Sequence, residues 1–163
     1  MLTKFKNIMY SFVLVALCSL GASYFTHQGI SSWYETSVKN AITPPNYYFP
    51  IAWNLIYFMM IISFFLILQK AKDFSISKAH KLFIAQLVLQ IVWCFIFFAQ
   101  GWLAGGLAVI LLLDFVVFVM IRSFAKISKT AAYLLYPYFI WLVFASLLNL
   151  LFMMDNGMVV LGA

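Results

Sequence analysis

Long stretches without charged side chains constrain this chain more than any other feature of its sequence. Lys, Arg, Asp and Glu are absent from residues 7–34, 40–69, 82–113, 115–121 and 130–154. A helix needs about 20 residues to cross the hydrocarbon core of a bilayer. Backbone groups in lipid must pair within their own segment, so such stretches predict membrane-spanning helices.

The predicted fold is all-α, a five-transmembrane-helix bundle in a single membrane domain, residues 1–163. The segment GWLAGG at 101–106 supplies a turn that divides the third long stretch into two spans. The predicted helices cover about 6–28, 46–70, 80–100, 103–123 and 130–154, and a lid loop covers about 29–45. The stretches do not alternate apolar with polar residues, which excludes a transmembrane β-barrel.

Composition excludes a soluble protein. Of the 163 residues, 66% are hydrophobic and 9% are charged, against roughly 45–50% and 25% in an average soluble domain. A soluble domain of this size has too little interior to bury so much apolar surface.

The basic residues predict the orientation. Nine of the ten Lys and Arg fall at the same end of the predicted bundle, and only Lys39 falls at the other. Basic residues favour the cytoplasmic side, so we expect the N-terminus inside and the C-terminus outside. This asymmetry accounts for the net charge of +6, and we expect no nucleic-acid partner.

The third predicted span places two carboxamides and two aromatic rings on one helical face. Gln86, Gln90, Trp93 and Phe97 recur at spacings of four, three and four residues. This face either hydrogen-bonds to neighbouring helices or forms the wall of a ligand pocket. The spacing by itself leaves both interpretations open.

Aromatic residues also share faces in two other spans. Trp53 and Tyr57 lie four residues apart after TPPNYYFP, and Pro44 and Pro45 are tolerated there in the first turn of a helix. Trp141, Ala145 and Asn149 are spaced by four in the last span, a pattern that favours close helix packing when taken alone.

Two titratable residues lie within the spans. Asp114 in LLLDFVVF is costly in lipid and predicts either a protonated carboxyl or a polar partner on another helix. His27 is expected at the membrane interface or the rim of a pocket.

The sequence contains no catalytic constellation that would support conventional hydrolysis or phosphoryl transfer. Cys18 and Cys94 fall at different depths of the bundle, so we expect neither a disulfide nor a metal site.

Three segments carry a resemblance to a known family. WYETSVKNAITPPNYYFPIAWNLIY, QLVLQIVWCFIFF and AAYLLYPYFIWLVFASLLN resemble the translocator protein family, also called the TspO/MBR, tryptophan-rich sensory protein or peripheral benzodiazepine receptor family. The similarity covers about three quarters of the chain.

The resemblance implies a membrane receptor or sensor that binds porphyrin-like ligands, such as protoporphyrin IX or a haem-like molecule, with no required cofactor. It implies that ligand-binding residues surround a pocket between helices, with a lid and rim above it: Tyr34, Pro44, Pro45, Trp53, Tyr57, Gln86, Gln90, Trp93, Trp141 and Ala145. Light- and oxygen-dependent porphyrin degradation, in which Trp53 and Trp141 would act, is one alternative function, and small-molecule transport is another.

The resemblance also implies a homodimer in contact with membrane lipid, and we expect the bacterial inner membrane rather than an organelle membrane. The sequence departs from the family at several positions. Leu150 and Met154 replace the Tyr and Arg of the pattern associated with sterol binding, so we do not expect sterol as a ligand. Gln90 replaces the usual asparagine, Cys94 replaces a serine, and KNAI at 39–42 replaces Lys-Pro-x-Trp.

Overall fold

The structure is a computed structural model that describes residues 2–70 and 74–159, with side chains for 2–70 and 78–159. Within these residues, six α-helices form five membrane spans. They are α1 Leu2–Gly29, α2 Tyr48–Lys70, α3 Phe74–Cys94, α4 Leu103–Ala125, α5 Lys129–Tyr133 and α6 Tyr136–Asn156. One turn of π-helix extends α1 over Ile30–Tyr34, and another extends α3 over Phe95–Ala99.

The helix ends follow from local chemistry. The side chain of Ser128 accepts a hydrogen bond from the Ala131 amide and caps α5. Pro137 lies in the first turn of α6, where its missing N–H would have no helical partner. The last span is therefore the short helix α5 followed by the long helix α6.

The start of α2 and the start of the loop before it differ from the prediction. Pro44 and Pro45 belong to the loop before α2 rather than to its first turn, because α2 begins at Tyr48 after a turn closed by the Tyr48 amide and the Pro45 carbonyl. The loop between the first two spans begins at Glu35, because the π turn continues the first helix to Tyr34.

Glycines in the turn after the third span and in the first turn of α4 allow a tight turn and close side-chain packing. The turn itself contains Gly101, whose φ of 59° favours glycine. Gly105 lies in α4 against the Trp102 ring, and an added Cβ would stand 2.5 Å from that ring. An added Cβ on Gly106 would stand 3.0 Å from Asn149.

The core of the bundle contains large apolar side chains, and the rings of Phe64 and Phe83 stack there at 4.0 Å. Because lipid tails are as apolar as the side chains, helix association in a bilayer depends on close packing and on hydrogen bonds between helices. Ser63 of α2 donates to the Ala131 carbonyl of α5 at 2.7 Å, and Tyr10 of α1 shares a hydrogen bond of 2.7 Å with His80 of α3.

Asp114 has a polar partner on another helix. Ser146 of α6 donates to its carboxylate at 2.7 Å. This hydroxyl ties α4 to α6, whereas the other carboxylate oxygen is buried with no partner among the described residues.

The spans alternate in direction, which brings most of the basic residues to one end of the bundle. Lys4, Lys6, Lys70, Lys78, Lys81, Arg122, Lys126 and Lys129 lie at this end, and Lys72 lies outside the described residues. Lys39 lies in the loop at the other end. The orientation in the membrane stays a prediction from this charge pattern.

Candidate functional site

The main cavity lies at the end of the bundle opposite the basic residues and has a volume of about 290 Å³. Side chains of α1, α2, α3 and α6 and of the two π turns surround it. They are Ser19, Ala22, Ser23, Thr26, His27, Ile30, Tyr34, Asn46, Phe49, Pro50, Trp53, Asn54, Tyr57, Gln90, Trp93, Cys94, Phe98, Trp141 and Ala145.

Two indole rings meet on the cavity wall. The centroids of Trp53 from α2 and Trp141 from α6 are 6.5 Å apart, and the ring planes are nearly perpendicular at 86°. The Trp141 Nε1 atom is buried and has no hydrogen-bond partner among the described residues. A flat ligand could stack on one ring and meet the edge of the other.

A carboxamide and a phenol lie below the indoles. Gln90 donates from Nε2 to the Tyr57 hydroxyl oxygen at 2.6 Å, and the Tyr57 ring stacks on Trp53 at 5.6 Å. Because the Tyr57 oxygen accepts this bond, the phenol proton can be donated to a ligand.

Trp93 and Ala145 form the part of the wall between α3 and α6. Trp93 donates from Nε1 to Asn149 at 3.2 Å, and Asn149 donates in turn to the Leu103 carbonyl at 2.9 Å. These bonds hold the Trp93 ring in place. Ala145 faces the cavity with a single methyl group, which leaves space for a ligand.

Aromatic contacts anchor the start of the loop above the cavity. Trp33 donates from Nε1 to the Phe98 carbonyl at 2.8 Å, so the two π turns are joined. The Tyr34 ring stacks on Phe152 with centroids 5.1 Å apart and planes 12° apart. The π turn that leads into the loop is therefore part of the aromatic core.

A second anchor joins the loop to the end of α6. Asn156 accepts a hydrogen bond from the Val38 amide at 3.0 Å and donates one to the Val38 carbonyl at 2.9 Å. Residues 39–47 follow this anchor and lead to α2, and Asn46 reaches the cavity. The first part of the loop is therefore tied to the end of α6.

We expect Asn156→Ala to speed cleavage of the folded protein by trypsin at Lys39, because it removes both hydrogen bonds beside that residue. Two bonds contribute roughly 1–3 kcal/mol, which corresponds to about a 5- to 150-fold rise in the open population of the loop. The measurement is limited proteolysis of the protein in nanodiscs. Met154→Ala, at an exposed position on the same helix end, is the matched control. Equal cleavage rates for the Asn156→Ala variant and the wild type would contradict the anchor.

The mouth of the cavity lies between α1 and α2, where several lining residues are exposed. These are Ser23 and His27 on α1 and Pro50 and Asn54 on α2. His27 therefore lies at the rim, as the sequence predicts. The mouth is polar and the wall behind it is aromatic.

Seven of the ten predicted site residues line the cavity, and three do not. Gln86 is fully buried below it, because its Oε1 accepts a hydrogen bond from the Tyr138 hydroxyl at 2.8 Å. Pro44 and Pro45 lie in the loop beside the cavity rather than on its wall. These placements concern geometry, and a role in ligand binding stays a prediction for all ten.

The first helix contributes a wall that the sequence interpretation missed. Ser19, Ala22, Ser23 and Thr26 line the cavity and recur at spacings of three, one and three, which places them on one face. A face of small and hydroxyl-bearing residues in an apolar span is the signal that could have revealed it.

Within the described residues, no group of three or more His, Cys, Asp or Glu side chains could hold a metal ion. Cys18 and Cys94 are both buried as free thiols. Cys94 lines the cavity, and Cys18 lies beneath Gln90, with its sulfur 3.6 Å from the Gln90 Oε1 atom.

Comparison with known proteins gives a consistent result. The sequence model of the TspO/MBR family matches residues 11–154. The tryptophan-rich protein TspO of Chlorobaculum tepidum is 36% identical over an alignment of 149 residues, which covers 88% of this chain and 94% of that protein. The tryptophan-rich sensory protein of Cereibacter sphaeroides is 28% identical over 88% of this chain and 90% of its own length. The translocator protein of Bos taurus is 30% identical over 84% of this chain and 82% of its own length.

Proposed function

Since this chain belongs to the TspO/MBR family of multi-pass membrane proteins, we propose that it is a membrane receptor or sensor that binds a porphyrin-like tetrapyrrole in the cavity between α1, α2, α3 and α6. The names of its relatives describe a sensory protein and a translocator protein. They do not name a ligand. The choice of a tetrapyrrole depends on the cavity wall and on the resemblance described above.

The observation that carries the proposal is the perpendicular pair formed by Trp53 and Trp141. Beside it lies the buried Nε1 atom of Trp141, which has no hydrogen-bond partner in the part of the chain that the structure describes. A tetrapyrrole is a flat apolar ring system with hydrogen-bonding nitrogens and acidic side chains. One indole can stack on its face, the other can contact its edge, and the Trp141 N–H can donate to a ligand acceptor.

The remaining polar groups suit the same ligand. Gln90 and Tyr57 offer hydrogen bonds to ring nitrogens without the cost of a buried charge. The acidic side chains of the ligand would reach the polar mouth near His27 and Asn54. A cavity of about 290 Å³ is at the low end of the usual range for ligand sites, so the macrocycle would fill it and extend into the mouth.

A variant that fills the cavity tests the proposal. Ala145→Phe places a ring in the part of the cavity that the small alanine side chain leaves free. We expect this variant to weaken protoporphyrin IX binding by at least about tenfold, because the ring would occupy space that the ligand needs. The measurement is a titration of the protein in nanodiscs, followed by the Soret absorbance of the porphyrin.

Ala108→Phe is the matched control, because Ala108 is an exposed alanine on α4 outside the cavity. The Ala108→Phe variant should bind protoporphyrin IX with the affinity of the wild type. Porphyrin uptake that grows linearly with concentration, or that is the same for the Ala145→Phe variant and the wild type, would contradict the proposal.

Photo-oxidative degradation of the bound porphyrin is a second candidate function, favoured by the two indoles on one cavity wall. Illumination of the complex in air separates the two functions. With a receptor the Soret band fades no faster than that of free porphyrin, and with a degrading enzyme it fades faster. Uptake of porphyrin into liposomes would instead identify a transporter. Dimerisation and the identity of the host membrane also stay predictions.

A further inference from the structure

A second depression lies next to the cavity along the seam between α1 and α2. It has a volume of about 250 Å³. Ser19, Asn54 and Tyr57 line both the cavity and this groove. The two spaces are therefore neighbours, with these three side chains, which we call the junction, on the border of both.

The groove is apolar beyond the junction. Phe12, Val15 and Ala16 of α1 form one side, and Phe58 and Ile61 of α2 form the other. The rings of Phe12 and Phe58 are 52% and 60% exposed, so the groove is open to the surrounding lipid. From Asn54 to Ile61 it follows α2 for roughly 10 Å at 1.5 Å per residue. This shape suits one aliphatic chain.

We propose that the ligand of the cavity carries a single long isoprenoid or alkyl chain, and that this chain leaves the cavity through the junction and lies in the groove. The proposal rests on the tetrapyrrole function above and narrows its ligand class to tetrapyrroles with an esterified aliphatic chain. A membrane lipid could fill the groove alone, but it would not need a groove whose polar end is shared with the cavity.

The junction has the polar groups that an ester needs. Tyr57 accepts a hydrogen bond from Gln90, so its own proton can be donated to an ester carbonyl. The hydroxyl of Ser19 is a second donor at the same point. The polar atoms thus lie where a head group and a chain would be joined, and the hydrocarbon surface begins immediately below them.

Two pigments that share one ring system test the proposal. Pheophorbide a is a chlorin free acid, and pheophytin a is the phytyl ester of the same chlorin. Ala16→Phe fills the groove without adding atoms to the cavity, since Ala16 lines only the groove. Binding in nanodiscs is followed by pigment absorbance and by quenching of the cavity tryptophans.

We expect Ala16→Phe to weaken pheophytin binding by at least about tenfold, because the phytyl chain meets the new ring. Pheophorbide binding should change by less than about twofold. Adding Phe58→Ala to this variant removes a ring from the opposite side and should restore pheophytin binding. Val13→Phe, at an exposed position of α1 outside the groove, should change neither affinity.

The outcomes separate this inference from the proposed function. Unchanged pheophytin binding by the Ala16→Phe variant, or an equal loss for both pigments, would overturn the inference alone and leave the groove to lipid. If the wild-type protein bound neither these pigments nor protoporphyrin IX, the proposed function would fail and this inference with it.

Discussion

Replacing both cavity indoles, in the variant Trp53→Leu/Trp141→Leu, is expected to weaken protoporphyrin IX binding about 5- to 150-fold. Aromatic pairs contribute roughly 0.5–1.5 kcal/mol each beyond the burial of their surface, so two lost pairs amount to about 1–3 kcal/mol. Leucine keeps the position apolar, and the change therefore removes the flat rings and the Trp141 N–H while much of the side-chain volume remains.

The affinity should be measured from the Soret absorbance of the porphyrin, because the variant lacks two of the fluorescent indoles. Trp102→Leu is the control, since Trp102 is 48% exposed at the turn before α4 and does not line the cavity. Wild-type affinity in the double variant would show that the indole pair is not the binding surface.

Replacing Asn149 by leucine is expected to lower the free energy of unfolding by about 2–6 kcal/mol. Asn149 is buried, accepts a hydrogen bond from Trp93 and donates one to the Leu103 carbonyl. Leucine leaves both partners buried without a bond, at a cost of roughly 1–3 kcal/mol for each group. Its larger branched end would also press on Gly106, where an added Cβ would already stand 3.0 Å from the Asn149 side chain.

Thermal unfolding in detergent, followed by near-UV circular dichroism, measures this loss. Leu147→Ala on the exposed face of α6 is the control, and we expect it to stay within about 0.5 kcal/mol of the wild type. An unchanged melting temperature for the Asn149→Leu variant would mean that the three-helix contact of α3, α4 and α6 does not stabilise the bundle.

The five spans could be predicted because the cost of charge in lipid is a local property of the sequence. A run such as 40–69 carries no charge, and it becomes α2 from Tyr48 to Lys70. The ends of the first and third spans were less predictable, because the two π turns that extend them depend on contacts between distant parts of the chain. Trp33 bonds to the Phe98 carbonyl across 65 residues of sequence.

Helical spacing predicted which side chains share a face of one helix. It could not predict which of them line the cavity, because that depends on the residues of neighbouring helices that contact them. Gln86 and Gln90 share one face of α3. Tyr138 of α6 donates a hydrogen bond to Gln86, which is buried in the core. Tyr57 of α2 accepts a hydrogen bond from Gln90 at the cavity wall. Spacing along one helix contains no information about which neighbour faces each turn.

Sequence alone was enough to establish that the chain spans a membrane five times, which ends of the spans carry the basic residues, and which aromatic residues share a helical face. Each of these properties follows from the cost of charge in hydrocarbon and from the period of the helix. Helix packing added what the sequence could not show: Trp53 and Trp141 contact each other on one cavity wall, Gln86 lies outside the cavity, and a groove between α1 and α2 lies next to it. Those relations depend on how helices pack, and the packing is set by contacts between residues that are distant in the chain.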